Sequence, residues 1–336
     1  MRFSFYFLLF SFFLFVSTGC VRWTPPLLAP IDEGSCRSDA ARWLAPDDER
    51  ERTRLNAWCA GVGDVVVRDR ASAPDNAVDL PAVTFVSWNV HVGLADMRAF
   101  VDDLRAGRLT SGRAVSHYVL MLQEVVRTRG VPPLAAGASG AKRIAPRATM
   151  RATDIVDFAQ ELGLSLVYVP SMRNGNSPNE PAEDRGSAIL STLPLANPRA
   201  IELPGERQRR VVILADAGSF AAGAVHLDAF GGSKRLRVFW TTWMRDVQVR
   251  TLRQALPEGP LALGADLNTW HGPDEFAVRS LRDAFAGTRV SVERHGQGLR
   301  TLDYLFVRSP DGRTVRYREI ENKYGSDHRP LVGWIE

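Results

Sequence analysis

From Ala82 onward the chain alternates short apolar runs with amphipathic helical patterns, which restricts it to an α/β fold. Apolar residues at spacings of three and four predict helices over residues 97–104 and 155–162, each ended by a glycine. A longer helix is predicted over residues 233–256. The clearest predicted strands cover residues 82–88, 118–122, 164–169, 187–191, 211–215, 223–227, 261–265, 301–307 and 331–335.

Many strands and few helices predict two stacked β-sheets covered by helices, because the apolar stripe of each helix needs a sheet face to cover it. Hydrophobic residues make up 45% of the 336 positions and charged residues 24%, values that permit a substantial core. We therefore expect one α/β domain over residues 81–336.

Five apolar segments deliver a polar residue where the strand gives way to a loop. They are Ser87-Trp88-Asn89, Leu122-Gln123-Glu124, Val225-His226-Leu227, Asp266-Leu267-Asn268 and Asp327-His328. A sixth segment, Leu302-Asp303-Tyr304, places an acid inside an otherwise apolar strand. Singly, each polar residue is explained equally well by burial against backbone amides. Because buried carboxylates need partners, six such segments together indicate a site rather than packing.

The Trp-Asn, Gln-Glu, Asp-x-Asn, Asp-Tyr and Ser-Asp-His signatures in this order resemble the endonuclease/exonuclease/phosphatase superfamily. The resemblance extends from Ala82 to the C-terminus. It implies the deoxyribonuclease-I-like fold, an α/β four-layer sandwich of two packed mixed β-sheets flanked by helices. It also implies that residues 81–336 are a catalytic domain that hydrolyses phosphodiesters with Mg²⁺, with Mn²⁺ or Ca²⁺ as alternatives.

The resemblance also assigns the metal ligands. Glu124 is the main expected ligand, with Asn89 and Asp327 near it. Mg²⁺ takes oxygen ligands and keeps several waters, so a few carboxylate and amide oxygens beside the substrate phosphate are sufficient.

The catalytic residues are assigned in the same way. His328 is expected to pair with Asp303 and to act as a base or as an electrostatic stabiliser, because a carboxylate on one ring nitrogen raises the basicity of the other. Asp266 is expected to activate the attacking water, and Asn268 to hold that water or a phosphate oxygen. His226 is expected to contact the phosphate or to protonate the leaving group.

Arginines near these segments are candidates for substrate binding. Arg185 precedes a predicted strand, and Arg127 and Arg129 open a basic loop directly after Glu124. A second basic segment is Arg207-Gln208-Arg209-Arg210. With a net charge of +4, these residues favour nucleic acid over lipid as the phosphodiester substrate, since phosphate contacts follow a polyanion backbone.

Residues 1–19 resemble a bacterial lipoprotein signal peptide. Arg2 precedes an apolar run over residues 3–16, which is shorter than the roughly 20 residues of a membrane span. Ser17-Thr18-Gly19 then lead to Cys20, the expected site of cleavage and lipid attachment. We expect export and anchoring to the envelope, facing the periplasm or the exterior; an ordinary secretory signal and a soluble secreted protein are the alternative.

The other two cysteines, Cys36 and Cys59, form an even pair in the oxidising compartment that export implies. A disulfide between them would stabilise the fold by roughly 3 kcal/mol on the chain-entropy account. Residues 20–80 are predicted to form a tether and a small N-terminal extension held by this disulfide, with a charged helix over residues 47–58.

Within the hydrolase class, a nuclease resembling deoxyribonuclease I is the leading hypothesis. A phospholipase C or sphingomyelinase activity and an inositol-phosphate phosphatase are the enzymatic alternatives. A catalytically silent lipoprotein that binds phosphorylated ligands is the alternative outside the enzymes. The sequence does not indicate an oligomeric state.

Overall fold

The computed structural model of the chain describes residues 25–31, 38–69, 78–132, 152–174, 182–205, 208–229, 237–285, 291–292, 302–309 and 313–336. The predicted signal peptide, Cys20 and Cys36 lie outside these residues. No helix in the described part of the chain is both long and apolar enough to cross a membrane.

Five α-helices occur in the described residues, and their N-caps explain where several begin. They are α1 (Glu49–Cys59), α2 (Met97–Arg105), α3 (Ile155–Glu161), α4 (Arg237–Arg253) and α5 (Phe276–Ala284). The side chains of Asp48, Asp96 and Asp154 accept hydrogen bonds from backbone amides of the first turns of α1, α2 and α3. The predicted helices over residues 97–104 and 155–162 are confirmed, whereas α5 lies among residues for which no helix was predicted.

The strands of the described residues form two sheets. The strands are β1 (Leu28–Pro30), β2 (Arg42–Pro46), β3 (Val66–Arg68), β4 (Val83–Asn89), β5 (His117–Arg127), β6 (Ser165–Asn174), β7 (Glu183–Ser191), β8 (Ala196–Leu203), β9 (Arg210–Ala217), β10 (Phe220–His226), β11 (Leu261–Asp266), β12 (Ser291–Val292), β13 (Asp303–Arg308), β14 (Val315–Glu319) and β15 (Leu331–Ile335). One sheet has the order β1-β2-β8-β9-β10-β11-β13-β12, and the other has the order β14-β15-β4-β5-β7-β6-β3. Both sheets are mixed: β4 and β5 pair in parallel, as do β10 and β11, while most other pairs are antiparallel.

The two sheets pack face to face, with helices on both outer faces. Successive residues of a strand face opposite sides of its sheet, so Phe85 and Met121 join the core between the sheets, whereas Val86 joins the core beneath α2 and α3. A third core, which includes Leu252 and Leu281, joins the other sheet to α4 and α5. The predicted four-layer sandwich is confirmed.

Gly264 of β11 shows how closely the sheets approach. A Cβ atom at this position would lie 2.6 Å from the Cβ atom of Met121 and 3.0 Å from the hydroxyl oxygen of Ser87. That hydroxyl accepts a hydrogen bond of 3.0 Å from the backbone amide of Ala265. Only a residue without a side chain fits here, and the contact sets the depth at which β11 lies against β4 and β5.

The N-terminal extension contributes strands to both sheets. β2 pairs in parallel with β8 at one edge of the larger sheet, and β3 pairs antiparallel with β6 at an edge of the other. The helix expected over residues 47–58 corresponds to α1, and Cys59 is buried at its end. Residues 38–69 therefore contribute to the core of the sandwich.

Candidate active site

The six polar segments meet at one edge of the sandwich. β4 and β5 run parallel; β4 ends at Asn89, which pairs with Gln123 of β5, the residue before Glu124. β10 and β11 also run parallel and end at His226 and Asp266. β13 runs antiparallel to β11 and begins at Asp303, opposite Asp266. These strand directions bring residues far apart in sequence to one place, as expected for strand ends that share an edge.

Asp266 lies at the centre of the cluster. Its carboxylate accepts hydrogen bonds from the side-chain amide of Asn89 at 2.8 Å and from the backbone amide of Asn268 at 3.1 Å. Nε2 of His226 lies 3.4 Å from the same carboxylate. Burial, together with the nearby charge of Asp303, raises the pKa of Asp266 above its ordinary range. A carboxylate with a raised pKa accepts a proton readily near neutral pH.

Asp303 and His328 form a buried pair. Oδ2 of Asp303 lies 2.7 Å from Nδ1 of His328, and Oδ1 of Asp303 has no hydrogen-bond partner among the described residues. Burial alone would lower the pKa of His328, but the charges of Asp303 and Asp266 raise it well above its usual value. His328 is therefore held as a cation, the form that attracts an anion.

His226 has the opposite electrostatic environment. Burial, followed by the charges of Arg210 and Arg185, lowers its pKa well below the usual value. His226 is therefore a neutral imidazole at neutral pH. The two histidines of the site thus occupy different protonation states.

Glu124 occupies a strained backbone position. Its φ angle is 57°, and the β5–β7 register shifts between Gln123 and Val125, so the residue lies in a bulge. Its carboxylate is 3.2 Å from Nη1 of Arg185. Asn268, at φ 50°, is strained in the same way. Backbone strain of this kind concentrates at functional sites, and here it occurs at two predicted site residues.

Asp327 lies at the exposed mouth of the site. Its carboxylate is 3.8 Å from Nε2 of His328 and 3.5 Å from Nδ1 of His91. The loop that carries it is fastened to β4, because the hydroxyl of Ser326 donates to the carbonyl of Asn89 at 2.7 Å. The same hydroxyl accepts from the amide of His328 at 3.0 Å.

Oxygen-rich groups that suit a divalent cation are present at this edge. They include the predicted ligands Asn89, Glu124 and Asp327, and the Asn89 side-chain oxygen also accepts from the His91 amide at 3.0 Å. Among the described residues the compact group is Asp266, Asp303 and His328, whose ligand atoms lie within 4.8 Å of one another. The unpartnered oxygen of Asp303 and the partly exposed carboxylates of Glu124 and Asp327 are hard donors of the kind that Mg²⁺ takes.

The structure does not bring Arg127 and Arg129 into this cluster. Arg127 is buried and makes two contacts with Asp184, at 3.1 Å and 2.5 Å, while its Nη1 atom donates to the Asp64 carbonyl at 2.8 Å. Arg129 is exposed and lies 3.4 Å from Asp157. Arg127 is engaged by Asp184 and by the Asp64 carbonyl, so its guanidinium holds the N-terminal extension against β5 and β7.

The sequence did not identify the support of the loop after Asn268. Arg245 of α4 makes three contacts with Glu275, at 2.8 to 3.0 Å, and both side chains are buried. Glu275 in turn accepts hydrogen bonds from the backbone amides of Trp270 and His271. No local sequence pattern predicts the contact between Glu275, at the start of α5, and Arg245 of α4.

Comparison with known proteins places the chain in a family. Residues 86–328 match the Endonuclease/Exonuclease/phosphatase family, whereas no curated protein sequence matches the chain at a significant level. The human Nocturnin catalytic domain with bound sulfate is similar in structure, with 16% identity, a TM-score of 0.47 and coverage of 78% of this chain and 97% of that one. An AP endonuclease from Archaeoglobus fulgidus shares 13% identity, with a TM-score of 0.44 and coverage of 76% and 99%.

A 3'-5' exonuclease (NExo) from Neisseria meningitidis shares 15% identity, with a TM-score of 0.45 and coverage of 75% of this chain and 99% of that one. Structural likeness at this level carries no information about substrate. The family match, in contrast, spans both sheets and the residues gathered at their common edge. The chain therefore belongs to the endonuclease/exonuclease/phosphatase family and is a phosphoric ester hydrolase.

Proposed function

We propose that the protein is a Mg²⁺-dependent phosphodiester hydrolase that acts as a nuclease. The observation that carries this proposal is the cluster itself: Asp266 with Asn89 and His226 on one side, and the Asp303–His328 pair on the other. Hydrolysis of a phosphodiester needs a base for the attacking water and positive charge for the phosphate oxygens. The cluster offers both at one edge of the sandwich.

Glu124, Asn89 and Asp327 are the residues that would hold the cation, with Asp303 Oδ1 as a further oxygen donor within the cluster. When bound, Mg²⁺ supplies charge neutralisation at the non-bridging oxygens of the phosphate. For Glu124, this role requires its carboxylate to leave Arg185, from which it is separated by 3.2 Å.

Asp266 is the proposed base for the attacking water. Its raised pKa favours proton acceptance, and the amides of Asn89 and Asn268 fix the orientation of its carboxylate. The side-chain amide of Asn268 donates to the Leu227 carbonyl at 3.1 Å, which leaves the Asn268 side-chain oxygen to orient the water.

His328 is the proposed electrostatic stabiliser of the phosphate. Because Asp303 and Asp266 hold it in the cationic form, it is better suited to stabilise negative charge than to act as a base. The neutral His226 lies on the other side of Asp266 and is placed to contact the leaving group. In this proposal the cationic His328 and the neutral His226 have different roles.

We further propose that the hydrolase is exported. The support is the sequence of residues 1–20, in which small residues lead to Cys20 as the proposed lipid attachment site, and we propose that Cys36 and Cys59 form a disulfide after export. In this proposal residues 20–80 form the tether and N-terminal extension, and residues 81–336 form the catalytic domain. Nucleic acid is the proposed substrate because the chain is basic overall.

The test is hydrolysis of plasmid DNA, bis-p-nitrophenyl phosphate and sphingomyelin by protein lacking residues 1–20, which retains every described element. We expect plasmid nicking in Mg²⁺ that EDTA abolishes, and at least a hundredfold loss in Glu124→Gln. Cleavage of sphingomyelin alone would replace the nuclease proposal with a phospholipase activity. Cleavage of only the small diester would indicate a phosphodiesterase whose substrate is neither DNA nor sphingomyelin, and silence with Mg²⁺, Mn²⁺ and Ca²⁺ would refute catalysis.

A further inference from the structure

Buried arginines in several parts of the described chain have carboxylate partners. Arg127 pairs with Asp184, Arg209 with Glu202, and Arg245 with Glu275, each at 3.2 Å or less. Such pairing is expected, because an uncompensated charge away from water is strongly destabilising.

Arg210 departs from this rule. It is 4% exposed, and one of its terminal nitrogens donates to the side-chain oxygen of Gln208. Among the described residues, its Nε atom has no hydrogen-bond partner, and no carboxylate forms an ion pair with its guanidinium. A buried guanidinium with an unused donor in a hydrolase of phosphoric esters indicates an anion that is supplied from outside the chain.

The position of Arg210 agrees with this. It opens β9, and the β9–β10 register pairs Ile213 with Ala224, which puts Arg210 beside the end of β10 that carries His226. Together with Arg185, Glu124 and His226 it lines one small cleft. Arg210 therefore belongs to the same edge of the sandwich as the candidate catalytic residues.

Arg185 resembles Arg210 in its burial and in having a donor without a partner. It is 5% exposed, and its Nε atom also lacks a partner among the described residues. Its guanidinium contacts the carboxylate of Glu124, a residue that the proposed function assigns to the cation. If Glu124 turns to the cation, the Arg185 guanidinium loses that carboxylate and becomes free for another anion.

The electrostatics of the cleft show that its charges act on one another. Burial lowers the pKa of Arg210, while the charges of Asp228, Glu124 and Asp266 oppose that change. The two arginines also lower the pKa of His226. The charges of both guanidinium groups therefore reach His226 of the candidate active site.

We propose that Arg185 and Arg210 together form an anion pocket that binds non-bridging oxygens of the substrate phosphate, an inference that rests on the proposed function. Guanidinium forks match phosphate oxygens in geometry as well as in charge. His328 then acts on the phosphate from the side of Asp303, and the two arginines act from the side of His226. Arg210 is the residue that this inference adds to the site.

The test uses inorganic phosphate as the probe and isothermal titration calorimetry in Mg²⁺ buffer as the measurement. Arg210→Gln is expected to weaken phosphate binding by about tenfold or more, and Arg185→Gln similarly. Arg210→Lys should lose part of the affinity, because an ammonium keeps the charge but not the fork. Arg316→Gln is the matched control, since Arg316 is exposed and pairs with Glu336 beyond the far end of β15.

Thermal melting checks that each variant folds. If Arg210→Gln does not fold, the phosphate affinities of Arg210→Lys and Arg185→Gln test the anion pocket. Unchanged phosphate affinity in those two variants, or no phosphate binding by the unaltered protein, would overturn the anion pocket. Phosphate binding that depends on Arg210, without hydrolysis of any ester, would retain the pocket and refute the proposed function. If the protein hydrolyses a diester and its KM is the same in the arginine variants, the proposed function is retained and the anion pocket is refuted.

Discussion

Nδ1 of His328 lies 2.7 Å from Oδ2 of Asp303, and this contact joins the two sheets of the sandwich. Asp303 begins β13 of one sheet, whereas His328 stands just before β15 of the other. A carboxylate at this distance fixes the orientation of the ring and stabilises its cationic form. The pair therefore depends on the packing of the sheets as much as on its own chemistry.

Asp303→Asn is expected to lower kcat on a diester by about 10² or more, because the amide cannot stabilise the cationic ring. His328→Ala should cost a similar factor. The double variant should be little worse than either single one, since the two residues act as a unit. Steady-state kinetics of the three variants measures this, and additive losses would show that the pair does not act together.

Asp266→Asn is expected to lower kcat by about 10² or more with little change in KM, because it removes the proposed base but keeps the size of the side chain. Asp216→Asn, at the opposite end of β9, is the matched control and should retain full activity. The measurement is kcat of both variants at saturating substrate. Near-normal turnover in Asp266→Asn would remove Asp266 from the catalytic residues.

Asp246→Asn is expected to raise stability in a pH-dependent way. Burial and the charge of Glu275 raise the pKa of Asp246 from 3.8 to about 6 in the folded protein. The folded state therefore binds the proton more tightly, and stability falls as the pH rises from about 4 to 6. Removing the carboxyl should add about 1 to 2 kcal/mol above pH 6, a value discounted for partial exposure, and little below pH 4.

Thermal unfolding at several pH values measures the Asp246 effect. Asp102→Asn, on the exposed face of α2, serves as the control and should shift the melting temperature little. An Asp246→Asn gain of the same size at pH 4 and pH 8 would show that the carboxyl is not the cause.

Gly63→Val is expected to destabilise the fold by roughly 1 to 3 kcal/mol. A Cβ atom on Gly63 would lie 2.0 Å from Nη2 of Arg127 and 2.6 Å from the carbonyl oxygen of Gly130. The Gly63 amide also donates to Asp184 at 2.9 Å, so the substitution disturbs the buried ion pair itself. Urea unfolding measures the loss.

Arg127→Met probes the same contact from the other side. Loss of one partner leaves Asp184 buried and unpaired, which typically costs about 3 to 5 kcal/mol. The folded fraction should bind inorganic phosphate as the unaltered protein does, in contrast to Arg210→Gln. Weaker phosphate binding in Arg127→Met, with full folding, would return Arg127 to the substrate-binding residues.

Much of the fold could be predicted from local pattern. The stripe of Met97, Phe100, Val101 and Leu104 predicted α2, and those side chains are buried as expected. β1, β2, β3, β8, β12, β14 and α5 were missed. β14 is short and ends in a charged arginine and glutamate. α5 begins without a side-chain cap, but its buried Ala277, Val278 and Leu281 follow the helical spacing that predicted α2, so the sequence does carry a signal for this helix.

The sequence by itself determined which polar residues stand at strand ends, because an acidic or amide side chain after an apolar run marks the point where the buried part of the strand ends. Position along the chain was therefore enough to indicate Asn89, Glu124, Asp266 and His328. Only the tertiary structure distinguished the role of Arg127 from that of Arg185. The two residues lie in adjacent residue pairs of β5 and β7. Arg127 pairs with the buried Asp184, whereas Arg185 contacts Glu124. Neighbouring residues of a strand face opposite sides, and which side holds a site depends on how distant strands pair and pack.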